Sequence, residues 1–173
     1  MNANCKAFLD MIGWSEGTST SPATKCGGYD VIVTGIDGKP EVFTDFSDHP
    51  FANGRPSKVI NSRGLTSNAS GKYQIMLRDW PHYRKLLDLG NKELYPCGAF
   101  SPPAQDAYAV RQLKEQRAMT DIDSGRIEAA IKKCANIWAS FPGAGYNQHE
   151  NRITKLLDAY IRAGGTFGKA GDE

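Results

Sequence analysis

The chain has 173 residues, 40% hydrophobic and 23% charged, the composition of a globular protein long enough to bury a core without metal or disulfide staples. Its 21 basic and 19 acidic side chains leave a net charge of +2, too small by itself to argue for nucleic acid and compatible with an anionic polymer partner. Four cysteines (Cys5, Cys26, Cys97 and Cys134), none in a CxxC pair, make a poor disulfide scaffold, and with His49, His82 and His149 they match no metal-ligand spacing, so no metal and no organic cofactor is expected.

In chain order, residues 5–16 come first, with Phe8, Leu9 and Ile12 at helical spacing. Position 16 continues the Leu9/Ile12 row, which predicts that Glu16 follows the buried stripe, and Gly17 is a helix stop. "GYDVIVTG" and "EVFTDF", separated by "DGK", predict a β-hairpin within residues 28–46. Residues 47–71, rich in Ser, Asn, Gly and Pro, predict a long loop. Four helices follow. One is capped by Asp79, with Pro81 in its first turn and Gly90 as its stop. One starts at Ser101 with Pro103, Ala107, Val110 and Leu113 on one face. One carries Ile127, Ala130, Ile131, Cys134, Ile137 and Trp138 as a single stripe. The last buries Ile153, Leu156, Leu157, Tyr160 and Ile161 and ends in paired glycines. The expected fold class is α+β, with a small β lobe at about residues 26–72, a larger helical lobe and a cleft between them, in a single domain over 1–173. No apolar run is long enough to span a membrane, and "MNANCKAFLDMIGW" does not have the pattern of a signal peptide. The expectation is a chain made in the cytoplasm that stays there unless something else moves it.

Three motifs lie at the edges of these elements: "WSEG" (14–17), "SGKYQI" (70–75) and "GAGYNQ" (143–148). On the residues alone, Glu16 is either a catalytic acid, raised in pKa by its apolar stripe, or a helix-end acid without a role. A negative charge near a helix C-terminus opposes the helix dipole, which makes the second option less comfortable. Gly71 permits close approach of backbone to a ligand, and Gln74 offers both a donor and an acceptor. Tyr73 is equally readable as a core tyrosine, and Tyr146 as a loop aromatic closing a turn. Asp30, Asp45, Asp48 and His49 are the remaining polar candidates near the β lobe. Their preferred reading is turn and strand-end structure, with Asp48-His49-Pro50 as a turn. Trp14, Trp80 and Trp138 have flat faces on which a ligand can stack, although Trp138 lies on a core stripe.

The chain resembles the lambda-type phage endolysins, lytic transglycosylases of the lysozyme superfamily. The resemblance runs through "KAFLDMIGWSEGT", "GYDVIV", "FTDFSDHP", "GKYQ", "FSPPAQDA", "CANIWASFPGAGYNQ" and "AGGT" in that order. It implies a lysozyme-like fold and cleavage of the β-1,4 bond between N-acetylmuramic acid and N-acetylglucosamine in peptidoglycan, giving 1,6-anhydromuramic products without water. It implies that Glu16 is the catalytic residue and that Ser70, Tyr73, Gln74, Tyr146 and Asn147 serve substrate, with Tyr146 close enough to hydrogen-bond the acid. It implies action on the wall after release through a holin pore, as a monomer, with no nucleic acid and no stable membrane insertion. The turns "TGIDGKPEV" and "LYPCGAFSP" look longer than in the lambda enzyme, and Cys5, Cys26 and Cys97 are outside the family pattern.

The chemistry of the residues fits this mechanism. A buried carboxyl can protonate the leaving oxygen and then accept the proton of the sugar's own 6-hydroxyl as that oxygen attacks the anomeric carbon. An intramolecular nucleophile has a large effective concentration, so one carboxylate is enough. Two alternatives remain open at this level. A hydrolytic muramidase would pair Glu16 with a second carboxylate, for which Asp30 and Asp45 are the candidates. A non-catalytic wall-binding module would need no acid at all.

Overall fold

Asn2 starts the first helix by accepting the N–H of Cys5 at 2.8 Å, and α1 (Ala3–Ser15) runs to Glu16, its C-cap, with Gly17 left-handed at φ +73°. The computed structural model describes residues 1–144 and 150–168. Tyr146, Asn147, Gln148 and His149 lie outside the described residues. The remaining elements are β1 (Val31–Ile32), β2 (Glu41–Val42), β3 (Lys58–Val59), β4 (Thr66–Ser67), α2 (Trp80–Leu86), α3 (Pro102–Glu115), α4 (Met119–Asp123), α5 (Ile127–Cys134) and α6 (Ile153–Arg162). No described helix is long and apolar enough to cross a membrane.

The chain divides into two compact units. The first joins residues 1–16 to residues 109–173. In it α1 packs on α4 and α6, and α5 on α4 and α6. Because α1 has neighbours on several sides, it buries more than a stripe: Cys5, Ala7, Phe8, Leu9, Met11, Ile12 and Ser15 are all buried. Lys6 and Asp10 stay at the surface and pair with each other at 2.8 Å. Phe8 meets Phe141 edge to face at 6.4 Å, and Trp138 lies beside Phe141. Near the start of α1, Asn4 receives the N–H and hydroxyl of Thr166 while donating to the Ile122 carbonyl.

The second unit, residues 17–108, contains the expected β region and α2. The hairpin expected within 28–46 forms as β1–β2, in the register Val31↔Val42 and Ile32↔Glu41. The predicted long loop contains a second hairpin, β3–β4, in the register Lys58↔Ser67 and Val59↔Thr66. Its strands are two residues each and largely unburied, so they leave no period-2 apolar pattern to read. An aromatic cluster fills this unit, with His49 and Trp80 each 4.9 Å from Phe100. Trp80 is buried and donates its indole N–H to Asp48 at 2.6 Å, so it is a core residue and offers no face to a sugar.

Several local expectations are corrected. Asp79 sits at the N-cap of α2 without a side-chain cap bond and receives Arg78 Nε at 3.3 Å instead. The helix stops before Gly90 because Asp88 takes the left-handed conformation (φ 51°), which aspartate tolerates. The Ser101 hydroxyl is buried without a hydrogen-bond partner, so it does not cap α3; Pro103 removes one of the two N–H groups that an N-cap hydroxyl uses. The buried face of α3 holds Ala104, Gln105, Tyr108, Ala109, Gln112 and Leu113, whereas Pro103 is exposed and Ala107 and Val110 are half-buried. Two glutamines on the inner face defeat an apolar-pattern reading; Gln105, for one, makes enough internal hydrogen bonds to be buried. Helix α5 ends at Cys134, leaving Ile137 half-buried beyond it, and α4 was invisible as a five-residue turn. On α6, Ile161 is exposed and Ala159 takes the inner position.

Candidate active site around Glu16

Glu16 is the C-cap of α1, directly before Gly17 turns the chain away. Its residue is half-buried, and burial raises its carboxyl above the ordinary carboxylate range. Ser140 opposes that rise, donating both its hydroxyl, at 2.6 Å to Oε1, and its backbone N–H. Burial outweighs these bonds, so the net displacement is upward. Ser140 is held by what flanks it: Trp138 and Phe141 are both buried, and Phe141 packs on Phe8 of α1. The serine is thereby fixed against the end of the helix that carries the acid.

The polar contacts continue behind Ser140. Its hydroxyl lies 2.7 Å from that of Ser15. Asn151 Nδ2 donates to both the hydroxyl and the carbonyl of Ser15, each at 3.1 Å. The Asn151 N–H also donates to the Ser140 carbonyl at 2.8 Å. Ser15 and Ser140 are buried, and neither they nor Asn151 was expected from the sequence. Ser15 and Ser140 stand inside the quoted motifs "WSEG" and "CANIWASFPGAGYNQ"; the available clue was adjacency to the acid for Ser15 and a place between apolar residues for Ser140. Asn151 left none. Trp14, next to Ser15, is half-buried with the Arg162 guanidinium 5.9 Å over its ring.

The "SGKYQI" turn belongs to the second unit. Ser70 and Ile75 exchange backbone bonds at 3.0 and 2.8 Å, and Gly71 is left-handed at φ +78°. A Cβ on Gly71 would stand 2.2 Å from Gln105 Oε1, so glycine is required twice over. Gln105 holds this turn from below: it receives the Lys72 N–H at 2.9 Å and donates to the carbonyls of Tyr29 and Phe100. Ser70 is 0% exposed and bonds the Asn68 carbonyl. Tyr73 is 2% exposed, with its hydroxyl donating to Asp106 at 2.6 Å beside that of Tyr29 at 2.8 Å, and burial pushes its phenol up. Each of these two side chains is thus enclosed, with its hydroxyl committed to a partner inside the unit. Gln74 differs. It is half-buried at φ 51°, an unusual backbone state for glutamine, steadied by Nε2 donating to the Gly71 carbonyl at 3.1 Å. Strain of this kind is worth about 1–3 kcal/mol and concentrates at functional positions.

The candidate second carboxylates have structural partners. Asp30 is buried and accepts the Thr24 hydroxyl and the Lys25 N–H. Asp45 is exposed; its bonds from Ser47 hold its carboxyl below the ordinary range. It lines a surface cavity of about 440 Å³ with Ser47, Asp48, His49 and Arg55, whose walls include neither Glu16 nor the 70–75 turn. His49 is buried with Nε2 on the Ile75 carbonyl and Nδ1 on the Phe51 N–H, an arrangement that favours the neutral ring; its pKa is lowered by burial. Among the described residues, no group of three or more His, Cys, Asp or Glu side chains is gathered as a metal site.

The fold superimposes on that of bacteriophage lambda lysozyme complexed with a chitohexasaccharide, with a TM-score of 0.83 at 46% identity over 96% of this chain and 97% of that one. A second lambda lysozyme structure gives 0.79 at 44% identity, with the same coverage of each chain. The architecture is thus the α+β lysozyme-like class. A family model described as Endolysin matches residues 6–167. The endolysin of Escherichia phage P2 is 56% identical over 162 residues, 94% of this chain and 93% of that one, and the endolysin of Escherichia phage lambda is 46% identical over 167 residues, 96% and 94%. The chain belongs to the Endolysin family, as an enzyme of the lambda lysozyme type.

Proposed function

We propose that this endolysin cleaves the β-1,4 bond between N-acetylmuramic acid and N-acetylglucosamine by lytic transglycosylation, with Glu16 as the acid and then the base. The observation that carries the reading is the Glu16 carboxyl: it caps a helix whose buried residues are mostly apolar, and burial raises it toward the protonated form that a general acid needs near neutral pH. The glycan complex of the lambda lysozyme supports a glycan ligand for this chain too.

In the proposed reaction the Glu16 proton passes to the glycosidic oxygen as its bond to the anomeric carbon breaks. The 6-hydroxyl oxygen of the same muramic residue forms the new bond to that carbon, and its proton returns to Glu16. The products are a free 4-hydroxyl and a 1,6-anhydromuramic end, with no water consumed. Gln74, Tyr146 and Asn147 bind the glycan in this reading, and Ser70 and Tyr73 support the turn that presents Gln74. The enzyme acts as a monomer with one catalytic domain over 1–173, and a holin pore gives it access to the wall; sedimentation of the pure protein should show one monomeric species.

Mass spectrometry of the released muropeptides tests the chemistry. Anhydro ends, lighter by one water, are expected; reducing muramic acid as the main product would replace this reading with hydrolysis. Asp30 and Asp45 are poorly suited to a hydrolytic partner role, one being enclosed by its own loop and the other solvent-facing. Glu16→Gln should keep the fold and abolish clearing of a peptidoglycan suspension, which also separates the enzyme from a wall-binding module.

A further inference from the structure

Glu16 does not meet an isolated hydroxyl. Behind Ser140 stand two more polar residues, and the acceptor-only carbonyl at their far end fixes the direction in which the bonds start. The Ser15 carbonyl can only accept, so the Asn151 group 3.1 Å from it must be the amide NH₂. An amide oxygen placed there would face the carbonyl, acceptor against acceptor. The second hydrogen of that NH₂ is then directed to the Ser15 hydroxyl, also at 3.1 Å. Ser15 accepts it and has its own proton to give, and Ser140 lies 2.7 Å away. Ser140 in turn gives its proton to Glu16 Oε1 at 2.6 Å. Asn151 is itself anchored by its backbone N–H on the Ser140 carbonyl, 2.8 Å away, so the far end of the chain of bonds is tied to its middle. Ser15 and Ser140 are 7% and 8% exposed, which leaves little room for water to reverse the order.

We propose that Asn151, Ser15 and Ser140 form a one-way hydrogen-bond relay that fixes Glu16 Oε1 as an acceptor, so that the catalytic proton resides on Oε2, and that the three are positioning residues of the reaction. The proposal rests on Glu16 being the acid. A free carboxylic acid can carry its proton on either oxygen and rotate; here one oxygen faces a serine hydroxyl 2.6 Å away, and a proton given by Ser15 to Ser140 directs the Ser140 hydrogen to that oxygen. Successive bonds of one sense polarise each other, so Ser140 donates more strongly than a lone serine would. The relay holds back the rise that burial imposes on the acid, and so sets the upper pH limit of activity.

Charged groups on the surrounding elements have other partners. Lys6 and Asp10 of α1 pair with each other, and Arg162 of α6 lies over Trp14. Asp121 of α4 pairs with Arg126 and Lys133, Asp123 accepts Asn2, and Glu150 accepts the Gly143 N–H. His149 lies outside the described residues. Among the described residues, desolvation and Ser140 account for the displacement of the Glu16 carboxyl.

The test is to titrate the Glu16 carboxyl by ¹³C NMR, assigned with Glu16→Gln, and to measure kcat/KM on peptidoglycan against pH for wild type, Ser140→Ala, Ser15→Ala, the double variant and Ser140→Thr. Ser140→Ala should raise the titration midpoint and the alkaline limb of the activity profile together, by about one pH unit. Ser15→Ala should move both the same way by less, and should add nothing when Ser140 is already alanine. Ser140→Thr, which keeps the hydroxyl, should restore the wild-type limb. A titration midpoint unmoved in Ser140→Ala, a limb that stays in place while the midpoint moves, or additive effects of the two alanines would each overturn the relay. Failure of the underlying reading is separate: it is clearing activity retained by Glu16→Gln, whatever the titrations show.

Discussion

The surroundings of Glu16 and those of Tyr73 are both polar clusters within the enzyme, and they are built in opposite senses. Around Tyr73 the bonds close on themselves: its hydroxyl and that of Tyr29 end on Asp106, Gln105 clasps the backbone, and Lys72 lies 4.8 Å over the Tyr29 ring. Around Glu16 the bonds run in one direction and end on one oxygen of a carboxyl, leaving the other for chemistry. A closed cluster gives rigidity, and an open-ended one gives a reactive group with a fixed orientation. Both networks end on a carboxyl; two phenols converge on one oxygen of Asp106, whereas a single serine, backed by Ser15, reaches Glu16.

Substitutions on each side should separate the two. The largest effect belongs to Glu16→Gln, where loss of the general acid should lower the rate by about 10²–10⁴-fold with the folded spectrum unchanged. Turbidity clearing of peptidoglycan beside circular dichroism measures it. Gly71→Ala attacks the closed cluster, adding a methyl against Gln105 at a left-handed position. It should reduce stability by about 2–4 kcal/mol in urea denaturation. Tyr73→Phe removes one of the two donors to Asp106 and should reduce stability by about 1–2 kcal/mol, while the alkaline limb of activity stays where it is.

The smallest effect is a pH dependence. Burial raises the Glu16 carboxyl, so the folded chain holds that proton more tightly than the unfolded chain does. Its contribution to stability is complete below the unfolded value and is lost as pH rises through the folded one. The Tm advantage of Glu16→Gln over wild type should therefore widen as pH rises above the ordinary carboxylate range. A constant difference would mean that the acid is not raised in the folded state.

Legibility from sequence followed the same division. Leu9, Ile12 and Glu16 share a helical row, and Gly17 was readable as the stop, because helix period and glycine conformation are local properties. The β1–β2 hairpin was readable from its β-branched runs and its "DGK" turn. The inner face of α3 was not, because Gln105 and Gln112 are polar residues buried by virtue of their surroundings. The β3–β4 hairpin was missed because strands of two residues carry no alternation.

Sequence by itself determined that a helix with an apolar row ends on an acid followed by a glycine stop. The motif order added the family resemblance. Tertiary structure alone decided that Ser140 and Asn151, 124 and 136 positions from Glu16 and Ser15 respectively, would direct their bonds toward that acid. It also decided that Ser70 and Tyr73 would be enclosed while Gln74 stays half-open. The physical reason is range. Helix period and turn chemistry act between near neighbours in the chain, whereas desolvation and the direction of a hydrogen-bond network depend on which distant side chains the packed core brings to the same place.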